Sequence, residues 1–157
     1  MIWGSENGMR IEVSEDAWVS MKNHIVSRRR GETGGILIGR YSDDLSTAKV
    51  LSASGPGPHS LFGLFSFTRK VFGLQTELDR EFELGRYYLG EWHCHPGTDS
   101  EPSPQDIQQM LSISKSVGYN CPEPILIVFG KSNPYVFCTV VVVRDGKVIE
   151  FQKESCV

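Results

Sequence analysis

Several features that would assign the class of this 157-residue chain outright are scarce or missing. Its four cysteines, Cys94, Cys121, Cys138 and Cys156, form no C-x-x-C pair and no dense framework. That argues against a disulfide-stapled secreted scaffold, and reduced thiols in a cytoplasm are the simpler expectation. Long apolar runs are also missing: the most apolar stretch, Tyr135 to Val143, is too short for a bilayer-spanning helix. The opening "MIWGSENGMR" lacks the basic start and long apolar stretch of an export signal. Nothing in the sequence points to export or a membrane. Nor is there an excess of positive charge. The 16 basic and 19 acidic residues give a net charge of -3, which supplies no whole-chain pull toward nucleic acid or anionic lipid. The one basic cluster, Arg28 to Arg30, ends a predicted helix that begins with Glu15 and Asp16, so the helix dipole accounts for both groups. No repeat or low-complexity segment occurs.

What is present suits one globular unit. A hydrophobic content of 39% with 10% aromatics can bury a core without staples, and the length predicts a single domain over residues 1–157. "MRIEV" (Met9 to Val13) alternates like a half-buried strand, and Ser14 stands as an N-cap before a helix with Trp18, Met21 and Ile25 on one stripe, stopping by Gly31. "TGGILIGRY" (Thr33 to Tyr41) reads as a strand whose glycines admit close backbone approach, and "TAKVLSAS" as its hairpin partner. "GPGPHSLFG" is a surface loop, followed by an apolar strand in "LFSFT" and a helix from Val71 to Leu84. "YYLGEWHCH" is a strand, the segment after Ser103 a helix, and "PILIVFG", "YVFCTVVVV" and "KVIEF" are strands, the last two joined at Asp145 and Gly146. This order predicts an α+β (mixed α/β) fold with a curved central β-sheet flanked by three helices.

The chemistry concentrates in "GEWHCHPGTDSEPSPQD", Gly90 to Asp106. On a strand, His93 and His95 project from one face and Cys94 from the other, and two adjacent imidazoles make half of a zinc site. Ser103 occupies an N-cap position, Pro104 the first helical position and Asp106 the third. The Asp106 carboxylate can therefore turn back toward the strand end as a third ligand, leaving one tetrahedral position for water, as catalytic zinc sites do. Proton transfer then needs a base outside the ligand set, for which Glu32 and Glu91 are candidates. Cys94, on the opposite face, lacks the neighbouring base that a nucleophile requires and is expected in the core with Trp92. Serine before proline is also an ordinary helix cap, so Ser103 carries a structural role beside any chemical one.

"HCHPGTDSEPSPQD" fits H-x-H-P-x6-S-x-x-D without a gap and resembles the signature of the JAMM or JAB (MPN+) metalloproteases, while "GETGGILIG" resembles their upstream glutamate segment. The resemblance implies that His93, His95 and Asp106 bind one Zn2+, that Glu32 takes the proton from water, and that Ser103 helps stabilise the tetrahedral oxyanion. It implies an MPN/JAB-like fold and cleavage of isopeptide or peptide bonds after the C-terminus of a ubiquitin-like protein. "YLGEWHCHP", "GPGP" and the short length resemble the stand-alone bacterial JAB proteins found near E1-like and E2-like genes in antiphage and mobile-element operons. The implied partners are a ubiquitin-like protein or its conjugate, with E1-like and E2-like enzymes and a conjugated target, and neither nucleic acid nor membrane. Two other readings stay open: an inactive MPN scaffold that binds partners, and a metal-dependent phosphoesterase. His24 is expected on a helix surface and His59 in an exposed loop, and Leu61 and Phe62 are candidates for partner contact or simple packing.

Overall fold

The computed structural model describes residues 1–27, 31–56, 76, 78–97, 99–131 and 136–154. The readings made for Arg28 to Arg30, for His59, Leu61 and Phe62, for the strand in "LFSFT", for the start of the helix at Val71 and for Cys156 lie outside the described residues. The elements run β1 (Ile2–Gly4), β2 (Arg10–Val13), α1 (Glu15–Ser27), β3 (Thr33–Tyr41), β4 (Thr47–Ala53), α2 (helical over 78–83), β5 (Tyr87–Cys94), α3 (Pro104–Lys115), β6 (Ile125–Lys131), β7 (Val136–Arg144) and β8 (Lys147–Lys153).

The strands close into a barrel in the order β1-β2-β4-β3-β5-β6-β7-β8. This corrects the curved sheet flanked by three helices, although helices and strands are mixed as expected. Closure falls to β1, which pairs antiparallel with β2 (Trp3↔Ile11) on one side and with β8 (Trp3↔Lys153) on the other. A strand of three residues is too short for alternation to reveal it, so the sequence shows the sheet but not the seam.

The helices are not equivalent flanks. One core cluster draws on all eight strands, including Trp3, Val13, Leu37, Val50, Trp92, Phe129, Val142 and Phe151, and so fills the inside of the barrel. Ala17, Met21 and Ile25 of α1 belong to it, and each large apolar side chain so buried contributes about 1.5–3 kcal/mol. Ser14 sets the start of α1: its hydroxyl oxygen accepts from the Ala17 N–H at 3.2 Å and its O–H donates to Leu51 O at 3.0 Å. A second cluster lies on the outside, where Met110 and Ile113 of α3 cover Ile36, Ile38, Tyr88, Leu126, Val128, Val141 and Val143. Of the α2 stripe, Leu78 packs against this outer cluster but Phe82 is exposed. The helix ends as expected at Gly85, whose φ of 69° lets Arg86 N–H reach Glu81 O.

β5 and β6 are parallel neighbours, with His93 beside Val128, and α3 is the crossover between them. That connection carries the N-terminus of α3 to the C-terminal end of β5, where functional groups gather in βαβ units. A register shift in the β3/β5 pairing, Leu37↔Gly90 followed by Ile38↔Tyr88, leaves Leu89 as an extra residue. Leu89 and Trp92 both face the inner cluster, while Tyr88 and Glu91 both face α3. Strict alternation would have set Tyr88 and Glu91 on opposite faces. Gly90 permits the shift: its φ is 150°, and a Cβ there would stand 1.9 Å from Ile125 O.

Candidate functional site

Asp106 is delivered by the helix start that its sequence encodes. Ser103 is the N-cap of α3, Pro104 follows, and Asp106 completes a capping box. The Ser103 oxygen accepts from Asp106 N–H at 3.1 Å, while the Ser103 N–H and O–H each donate to Asp106 Oδ2 at 2.8 Å. With Oδ2 so anchored, the carboxylate faces β5. His93 Nδ1 lies 2.8 Å from Asp106 Oδ1, and His95 Nε2 lies 3.2 Å from Oδ2. The structure thus brings together His93, His95, Ser103 and Asp106.

His93 is buried, with Glu91 on its other side: Nε2 is 3.1 Å from Glu91 Oε2. Both ring nitrogens face carboxyl oxygens, so each is placed to share a proton with an acidic neighbour. Burial pulls the His93 pKa down, but the hydrogen bonds and charges of Asp106 and Glu91 outweigh it and raise the value from 6.5 to about 9. Burial would raise the pKa of Asp106, yet the His93 hydrogen bond and charge, with the Ser103 N–H and O–H, hold it well below the carboxylate range.

Glu32 is exposed and enters none of these hydrogen bonds. It precedes Thr33, which pairs with Cys94, while Gly34 pairs with His93. Alternation carried one residue past the end of β3 sets Glu32 on the face of His93, at the end of β5 where His95 stands. Gly34 keeps that face open, because a Cβ there would stand 3.2 Å from His93 Cδ2. Trp92 and Cys94 belong to the inner core, and burial raises the Cys94 thiol pKa, which suits packing rather than nucleophilic attack. His24 is half-buried rather than on the surface, its ring centroid 6.3 Å from that of Trp92.

Among the described residues, no group of three His, Cys, Asp or Glu side chains is spread into a ready metal cage; the donors are in contact with one another instead. The donor set still fits one ion. His93 Nδ1 and His95 Nε2 lie 2.8 and 3.2 Å from the two different oxygens of Asp106, so both imidazoles face one carboxylate. Two imidazoles and one carboxylate are also the mixed N and O set that zinc accepts.

Two residues of the network are additions to the sequence reading. Gln109 Nε2 donates to Glu91 Oε2 at 2.8 Å, and the Tyr88 hydroxyl donates to Glu91 Oε1 at 3.5 Å. Gln109 follows Asp106 by three residues and shares its helix face, a signal that spacing carries. Tyr88 was hidden by the bulge.

The crossover helix α3 thus delivers the Asp106 carboxylate to His93 of β5 and to His95 just past its end. Residues 15–145 match the prokaryotic homologs of the JAB domain, and the chain belongs to that family. A protein of Enterobacter hormaechei named "CD-NTase/cGAS isopeptidase" is 42% identical over 120 residues, covering 76% of this chain and 67% of that protein. A "probable metalloprotease" of Sinorhizobium fredii is 33% identical over 101 residues, covering 62% of this chain and 61% of that protein. Family and relatives together support a hydrolase of the peptidase or isopeptidase class that uses a metal. Solved structures of a Desulfitobacterium hafniense protein (TM-score 0.66, 20% identity, 89% of this chain and 88% of that one) and a Salinibacter ruber protein (TM-score 0.56, 15% identity, 93% and 90%) share the fold. At those identities the likeness extends to the fold alone.

Proposed function

We propose that the chain is a zinc-dependent peptidase or isopeptidase that hydrolyses the amide bond following the C-terminus of a ubiquitin-like protein. The observation that carries this reading is the meeting of His93 and His95 with the two oxygens of Asp106 in a JAB-family chain. His93, His95 and Asp106 hold the ion, which when bound supplies polarisation of the scissile carbonyl and a water of pKa about 7. Glu32 takes the proton of the attacking water on its carboxylate and returns it to the leaving amine. Its exposure supports that role, since Glu91 is only 1% exposed and its Oε2 is already shared by His93 and Gln109. The Ser103 hydroxyl turns toward the oxyanion, while its backbone N–H keeps hold of Asp106 Oδ2.

The name of the Enterobacter hormaechei relative supports an isopeptide linkage and a target of the CD-NTase/cGAS class. The setting is then a bacterial antiphage conjugation system with E1-like and E2-like enzymes. Cys94, Cys121 and Cys138 are free thiols, which suits a reducing cytoplasm. No helix among the described residues is long and apolar enough to cross a membrane. The test offers the protein a ubiquitin-like protein with a C-terminal extension and, separately, a lysine-linked conjugate, each with and without a zinc chelator. Cleavage that the chelator abolishes is expected. A fully metallated protein that cuts neither substrate rules the reading out.

A further inference from the structure

We propose that Glu91 is a positioning residue, a buried carboxylate that fixes the ring of His93 and through it the shape of the metal centre. The inference rests on the preceding reading only in taking His93 as a metal ligand. Glu91 is 1% exposed on the outer face of β5. A carboxylate buried to that degree needs hydrogen bonds to its oxygens. Oε2 receives His93 Nε2 at 3.1 Å and Gln109 Nε2 at 2.8 Å, and Oε1 receives the Tyr88 hydroxyl at 3.5 Å.

These partners come from separate parts of the fold. Tyr88 reaches Glu91 because the Gly90 bulge puts both on one face, and Gln109 reaches it from α3. Asp106 and Gln109 lie on one face of α3, so a single helix sets both the carboxylate on one edge of His93 and the clamp on the carboxylate at the other. Rotating the ring breaks bonds at both edges. A ligand ring held in this way loses little freedom when an ion binds, and a carboxylate on its far N–H makes it a stronger donor. Glu91 therefore acts through His93 and touches neither water nor substrate.

The experiment measures zinc affinity of the full chain by competition with a chromogenic chelator, for wild type, Glu91→Leu, Glu91→Gln, Gln109→Met and Tyr88→Phe. Melting of each metal-free protein and the visible spectrum of bound Co2+ are recorded alongside. Glu91→Leu is expected to bind about 100-fold more weakly and Glu91→Gln about tenfold, because the amide keeps a hydrogen bond and loses the charge. Gln109→Met and then Tyr88→Phe follow with smaller losses, in the order of their 2.8 and 3.5 Å bonds. The cobalt bands shift in both Glu91 variants. Folded Glu91 variants with wild-type affinity and an unmoved cobalt spectrum overturn the proposal, even if they melt earlier. Should Glu91→Leu fail to fold, unchanged affinity in both Gln109→Met and Tyr88→Phe overturns it equally. A wild type that binds zinc tightly but cleaves no fusion defeats the peptidase reading alone, whereas a wild type without zinc affinity defeats both.

Discussion

Trp92 and His93 are consecutive residues of β5, 0% and 6% exposed, yet different forces hold them. Trp92 faces the barrel interior, edge-on to Phe129 at 6.2 Å, and its indole N–H donates to Ser54 O at 2.9 Å. His93 faces α3 between two carboxylates. The inner face gains its stability from apolar area and close packing, which answer to volume. The outer face has paid the desolvation of three ionisable groups, so it depends on every partner being present. The one surface stabilises the barrel, and the other keeps charged groups dry and converged for chemistry.

The sharpest break between the two faces is a substitution that stops turnover and spares the fold. Glu32→Gln is expected to lower turnover about 10²–10⁴-fold, with bound zinc and melting temperature unchanged because Glu32 is exposed. Near-normal turnover in that variant would move the proton-transfer role to another group. Trp92→Ala is the reverse case. It should cost about 3–5 kcal/mol in a denaturant titration while the folded fraction keeps its turnover, and a loss under 1 kcal/mol would show that the inner face is not held by packing.

Acidity separates the faces next. The His93 pKa is raised to about 9, so its contribution to stability is complete below about pH 6.5 and lost as the pH rises through about 9. The Asp106 shift is downward, so its share is present above about pH 3.9 and is lost only as the pH falls below that. With a chelator present, the protein should lose up to about 3 kcal/mol between pH 6 and pH 9.5, and His93→Gln should flatten the curve. An equally steep curve in that variant would assign the titration to another group. The smallest effect belongs to Ser103→Ala, expected to cost about 1 kcal/mol through the lost cap. Turnover that falls no further than this stability loss explains would leave Ser103 as a cap alone.

Much of this was readable in advance, for reasons that differ by residue. The ends of β3, β5 and α3 follow from local signals: glycine-rich extended sequence, Pro96 after the strand, and the Ser103 and Pro104 cap. His93 and His95 follow from a period of two. The Asp145 and Gly146 turn joins β7 and β8 as expected, with φ of 50° and 73°. The barrel closure did not follow, because β1 is three residues long and finds its partners 8 and 150 residues away, at Ile11 and Lys153. Phe82, expected on an apolar stripe, is exposed although Leu78, one turn earlier on the same helix face, packs against the outer cluster.

The sequence by itself determined which side chains converge, since residue type and spacing along one strand and at one helix start bring His93, His95 and Asp106 together. Only the tertiary structure decided that the sheet closes, that α1 contributes to the interior while α3 covers the outside, and that Glu91 is clamped by Tyr88 and Gln109. Local pattern records which face a side chain takes on its own element. Which element lies opposite that face depends on pairings between distant residues, and a single bulge at Gly90 is enough to change the answer.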